Sequence, residues 1–268
     1  MNWTVIRASL QQRRTSLMWY SIGLAVYSWF IVWYYPQFAG NDEFFEQIQQ
    51  VMSGDMLAAF GAADLNFGTL GGFLGVEYLS LIWVVIITAA VTGFASKAIA
   101  SDVEGGTMEL TLTQPVSRLQ VAVSRWVALL VYSVVINLAT VLPIWASCLA
   151  YDIEVEAKAM YLLFAVGLLL TLAIGGFAFM VSTMSPSGGR VAAVTSGVLG
   201  AMWLGNFLAA VNDNTEFLDS FTIFHYWKPG AIIDDLTVKP EAWWVFGVPT
   251  VVFAAIGVWR FLHRDVAA

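Results

Sequence analysis

Charge is missing from six long stretches of this chain. The uncharged runs cover residues 15–41, 78–96, 126–151, 159–189, 191–212 and 242–259, and all 12 basic and 19 acidic residues lie outside them. A helix crossing a hydrocarbon core about 30 Å thick needs roughly 20 apolar residues, and each run reaches that length or falls a residue or two short. An ion-coupled carrier normally keeps an acid, a base or a histidine inside the membrane to bind its driving ion; these runs hold none. Both histidines, His225 and His263, also fall outside them, on opposite sides of the expected membrane. That excludes a Ser–His pair at depth, and no H-E-x-x-H zinc motif exists. Neither a catalytic residue nor a metal site is expected. The single cysteine, Cys148, allows no internal disulfide.

What is present is apolar. Hydrophobic residues make up 59% of the 268, and the twelve Trp and nine Tyr suit membrane interfaces. The composition predicts an all-α membrane protein with spans at 17–35, 76–96, 119–149, 159–183, 190–211 and 242–261. Arg13 and Arg14 precede the first run as in a signal peptide, but the run is longer than an h-region and no A-x-A-like site follows it, so it is read as a retained helix. With the N-terminus inside, nine basic and four acidic residues fall on the cytoplasmic side, against three basic and fifteen acidic outside. The positive-inside rule then places both termini in the cytoplasm. The outer acids, among them Asp219, Asp234 and Asp235, are read as a solvated surface.

Between the spans the chain has recognisable parts. Residues 1–16 predict an elbow helix in the membrane plane, with Trp3, Ile6 and Leu10 on one face and Arg7, Gln11 and Arg14 on another; a frayed basic terminus is the plainer alternative. The external segment 36–75 holds an amphipathic stretch with Phe44, Phe45 and Ile48, then a glycine-rich return. The external segment 212–241 is too aromatic to float free, which predicts short helices dipping into the outer leaflet before Pro229–Gly230 turns the chain. In the fifth span Ala193, Gly197, Ala201, Gly205 and Ala209 recur at four-residue spacing, a face for close helix approach. Packing within the chain is the plainer explanation, a subunit interface the other. Asn137 and Asn206 are expected to make interhelical hydrogen bonds.

The cytoplasmic loop 97–118 carries most start and stop signals. Gly105–Gly106 breaks the segment leaving span two, and Thr107 can N-cap a new helix with Glu109 in its first turn. That helix must stop before Pro115. Ser117 and Gln120 form a capping box for the next span. The product is about two turns of helix held between fixed breaks, as a docking element would be.

At these residues the chain resembles the permease subunits of type-2 ATP-binding-cassette (ABC) transporters, the exporter kind. The loop reads EGGTMELTLTQPVSR, and Glu104, Gly106, Thr107, Met108, Glu109, Leu110, Pro115, Val116, Ser117 and Arg118 match the family's coupling-helix segment. The basic amphipathic start and the aromatic loop before the last span are similar too. The resemblance implies a coupling helix seated in a separate ATPase subunit, two copies of each chain, and a homodimer in membrane lipid with no nucleic acid. Two different permeases remain the alternative to a homodimer. It implies a multi-pass protein of the cell membrane and no cofactor in this chain, ATP and Mg²⁺ belonging to the ATPase. No G-x-x-x-x-G-K-[ST] loop is present to cradle phosphates. Trp29, Trp33, Trp83, Trp203 and Phe207 are expected to line the pathway of a hydrophobic or amphipathic substrate. A non-transporting sensor or scaffold coupled to an ATPase, and an ion-coupled carrier, are the competing readings.

Overall fold

The structure, a computed structural model, describes residues 2–37, 39, 68–106, 108 and 116–264. The amphipathic stretch around Phe44 lies outside the described residues. The helices in chain order are α1 (Trp3–Gln12), α2 (Arg14–Tyr34), α3 (Leu70–Leu74), α4 (Ile82–Ala98), α5 (Ala100–Glu104), α6 (Arg118–Ala150), α7 (Ala157–Met184), α8 (Gly188–Val211), α9 (Pro229–Asp234) and α10 (Pro240–Leu262). No strand occurs among the described residues. The chain is an all-α membrane protein. Among the described residues five helices are long and apolar enough to cross a bilayer, six where the bent pair of α3 and α4 counts as one span.

The core sits around α7. In its most apolar window 67% of the residues are buried, against 22% for α2 and 17% each for α8 and α10. It packs against α4, α6, α8 and α10. Asn137 of α6 reaches across to it, donating to Thr171 Oγ1 at 3.0 Å. Asn206 of α8 instead accepts from Thr222, in the segment after that helix, at 3.2 Å. The helix α1 lies across the start of α6, where its Asn2 N–H donates to Ser124 Oγ at 2.8 Å. Of its expected apolar face, Ile6 is buried and Leu10 packs on the core, while Trp3 points outward.

The second span is not the single helix expected over 76–96. Here α3 runs into a π-helical turn, Gly75–Leu79, and bends by 46° before α4. A break in a membrane helix frees backbone groups that hydrocarbon cannot satisfy, and side chains from elsewhere take them up. The Trp227 indole N–H donates to the Leu79 carbonyl at 2.9 Å. Trp227 stacks on Trp83 with ring centroids 5.1 Å apart, and Trp83 donates to Thr140 Oγ1 at 3.0 Å. At the start of α3, Thr69 is the N-cap, accepting from Gly72 N at 3.2 Å. Asp234 accepts from Gly71 N (2.8 Å), Gly72 N (3.0 Å) and Thr69 Oγ1 (2.6 Å). Gly71 is needed because a Cβ there would meet the Gly230 carbonyl oxygen at 2.5 Å.

Three further expectations change. Asp234 and Asp219 are not free surface acids: the first caps α3, and the second pairs with His225. Pro229–Gly230, expected to turn the chain, also opens a helix, α9, where proline's missing N–H is no loss. The small-residue face of α8 is not used for packing between helices of one chain. Ala193, Gly197 and Ala201 are exposed and Ala209 is half-buried; a Cβ at Gly197 would meet nothing within 4 Å, and one at Gly205 would stand 3.5 Å from Thr222 Cγ2, in the segment after the helix. In segment 212–241 short helices do occur, and Phe224 and Trp227 are buried, but Phe217 and Phe221 are exposed.

His225 sits between two charges. Lysine can only donate, so Lys239 Nζ, 2.7 Å from Nε2, makes that nitrogen the acceptor, leaving Nδ1–H for Asp219. Burial holds the imidazole below its ordinary value; Asp219 opposes this, while Lys239 and Lys228 add to it.

Two predictions follow from these contacts. Gly71→Ala should lower stability by about 1–3 kcal/mol through overpacking, whereas Gly93→Ala, with nothing within 4 Å, should be near neutral; thermal unfolding in detergent separates them. Because the folded chain binds His225's proton less readily than the unfolded chain, its contribution is intact above about pH 6.5 and is lost as pH falls through the lowered folded value. Acidification from about pH 7.5 to about pH 5 should therefore reduce the melting temperature of the natural chain more than that of His225→Gln.

Candidate functional site

The loop 97–118 leaves α4 at a turn on Ile99 and forms α5, which ends at Gly105. Gly106 has φ +71°, a left-handed conformation that glycine enters without strain. Met108 is helical and buried in the main core. Thr107, Glu109, Leu110 and Pro115 lie outside the described residues. The chain is described again at Val116–Ser117, where the expected capping box is present: Gln120 N donates to Ser117 Oγ, and Ser117 N to Gln120 Oε1, each at 3.1 Å.

Around this loop five connections converge on one end of the bundle. The Ala100 N–H donates to Ser182 Oγ of α7 at 3.0 Å. Asp102 pairs with Arg125 of α6 at 2.6 Å, and the arginine is only 6% exposed. Glu104 accepts from Gly188 N at 3.0 Å, placing a carboxylate at the start of α8 where the helix dipole favours it. Arg118 donates to the Arg264 carbonyl at 2.6 Å. Arg264 in turn donates to the carbonyls of Thr183 (2.8 Å) and Ser185 (2.9 Å), closing the end of α7. Burial lowers the Arg264 pKa from its ordinary value. The short helix α5 is thus fastened to α6, α7 and α8 at once.

A second feature lies between α2 and α6. It is an open apolar groove of about 720 Å³, with Trp29, Phe30 and Trp33 on one wall and Leu142, Pro143 and Tyr151 on the other. Trp29 meets Tyr151 edge-on at 6.2 Å, and Phe30 lies 5.7 Å from Trp33. The structure therefore brings Trp29 and Trp33 together. Trp83 lies elsewhere, buried beside Trp227. Trp203 and Phe207 form a third place, half-buried and stacked at 5.7 Å on α8.

The family model described as ABC-2 family transporter protein matches residues 3–266. The chain belongs to this family. No curated relative matches it. It is a transmembrane component of an ABC transporter and a multi-pass protein of the cell membrane. Within this ABC-2 chain, Glu104 and Arg118 are bound at the loop's two ends and Met108 is buried beneath it, so at least three of the motif's side chains have partners inside the protomer.

Sequence reasoning missed the pair Arg125–Asp102. Arg125 stands just outside an uncharged run and reads as an interfacial base. Its position seven residues into α6, about 10 Å along the axis, was the available signal that it would be drawn under the elbow helix. Removing one partner of a buried pair costs more than removing both, by roughly 3–5 kcal/mol in closed interiors and less at a cleft. Asp102→Ala should therefore lower the melting temperature more than Asp102→Ala combined with Arg125→Met, a double-mutant cycle readable in detergent.

Proposed function

We propose that this ABC-2 chain is the permease subunit of an ATP-driven exporter. It would move a hydrophobic or amphipathic substrate with energy from a separate ATPase. The observation that supports this most directly is the setting of the loop 97–118, whose two ends are joined to α6, α7, α8 and the chain after α10. A force on a helix at 107–113 would reach Glu104 and Arg118 at its flanks. Through them it would reach the starts of α8 and α6 and the end of α7, instead of being absorbed by a loose connector.

In this reading the end carrying α1, α5 and Arg264 is cytoplasmic, in keeping with its basic residues. ATP and Mg²⁺ bind the partner, where ATP binding and hydrolysis supply the driving free energy. Two copies of the chain assemble through faces that one copy leaves open, the small residues of α8 among them, for without lipid-excluding contacts such a face packs poorly. The groove of Trp29 and Trp33 offers cargo an apolar surface with aromatic edges, and Trp203 and Phe207 offer a second.

The test is association. Thr107→Pro with Glu109→Lys should reduce co-purification of the ATPase at least tenfold and abolish ATP-driven transport, while the melting temperature of the isolated chain stays the same. Unchanged association and transport would show that the loop is not the coupling element. Intact association with no vesicular transport of any amphipathic dye by the natural chain would favour a sensor.

A further inference from the structure

Beneath the elbow helix lies a cleft that the coupling reading does not use. It measures about 580 Å³ and lies between α1, the end of α4, α5 and the first turns of α6. Among the described residues its walls carry three cations, Arg13, Lys97 and Arg125, and one acid, Asp102. Arg125 is 6% exposed, and only its Nη2 is engaged, by Asp102. Its Nε and Nη1 have no hydrogen-bond partner among the described residues. A buried guanidinium with two idle N–H groups is costly, unless a ligand supplies the acceptors. Arg13 is itself half-buried, and burial lowers its pKa despite the pull of Tyr132 and Asp102.

The acceptor that fits is a phosphate. Guanidinium forks bind phosphate oxygens in pairs, and three cations against one carboxylate leave an excess of positive charge. The position along the chain fits too, since Arg125 lies about 10 Å along α6 from its first residue and directly precedes the uncharged run 126–151. Val5 and Ala8 of α1 and Val116 supply the apolar part of the lining, beside the polar Thr4, Ser9 and Gln12 of the same helix. Trp3, 70% exposed on the same helix, is placed as an interfacial anchor. Basic pockets between membrane helices on the charged face of a protein bind anionic headgroups in this manner.

We propose that this cleft binds the phosphate of an anionic phospholipid, seated between Arg13, Lys97 and Arg125 and holding α1 against α6. The site requires only that the chain spans a membrane, so it stands or falls apart from export and ATPase coupling.

Native mass spectrometry of the full chain released from nanodiscs of phosphatidylcholine with a minor fraction of phosphatidylglycerol tests it. The natural chain should retain one phosphatidylglycerol per protomer in preference to phosphatidylcholine. Arg13→Gln and Lys97→Gln, both at the edge of the cleft, should each lower that retention about fivefold, and together more. Arg14→Gln, which removes the same charge from an exposed position outside the cleft, should leave it unchanged. Equal retention by the natural chain and the double variant would overturn the proposal. Glycerol phosphate or inorganic phosphate displacing the lipid at low concentration would keep the phosphate site but assign it to a soluble anion. Loss of ATPase association in the cleft variants, with lipid retention unaltered, would assign the cleft to a protein partner and overturn it.

Discussion

Hydrocarbon offers no hydrogen bonds, so every backbone N–H and C=O at membrane depth must find its partner within the protein. Unbroken helices meet this demand by themselves. The second span does not, and the way its break is closed organises half the molecule. The Leu79 carbonyl goes to Trp227, and the N–H groups opening α3 go to Thr69 and Asp234. Trp227 and Asp234 come from the segment before the last span, which is therefore a structural insert and not a surface loop. The stacking of Trp227 on Trp83, and the hydrogen bond from the Trp83 indole N–H to the Thr140 hydroxyl, extend the same closure to α6.

The opposite end is built on a different principle. There the helices begin and end in charged and polar contacts: Glu104 at the start of α8, Arg264 at the end of α7, Ser117 at the start of α6. Each link is short and directional, and several pass through the five residues of α5. Under the proposed coupling, gathering helix ends around one small element would carry a partner's push to several helices by ordinary capping chemistry.

Some of this was legible in the sequence because it depends on near neighbours. The capping box at Ser117 and Gln120, the break at Gly105–Gly106 and the interhelical bond of Asn137 each follow from local patterns. The bend before α4 did not, since nothing within 78–96 breaks a helix, and the indole that takes up its freed carbonyl lies 148 residues away. The same holds for Asp234 and Asp219, whose roles as cap and counter-ion depend on partners that spacing cannot supply. The burial of Arg125 was not legible because a charge at the edge of an apolar run normally faces water, whereas here α1 lies over it and makes its surroundings part of the interior. Aromatic residues gave the weakest guidance: Trp29, Trp33 and Trp83 read alike in sequence, yet two line an open groove and one is sealed in the core.

The break in the second span also bears on how the chain is made. A ribosome delivers α3 and α4 to the membrane long before residue 227 exists, and α4 alone has 17 residues, short of a full crossing. Until Trp227 and Asp234 emerge, the carbonyl of Leu79 and the amide of Gly71 lack these partners, while the Gly72 amide has Thr69 beside it. Insertion thus proceeds from first helix to last, but the second helix is sealed only when the segment before the last has crossed. Synthesis and completion run in different orders along the same chain.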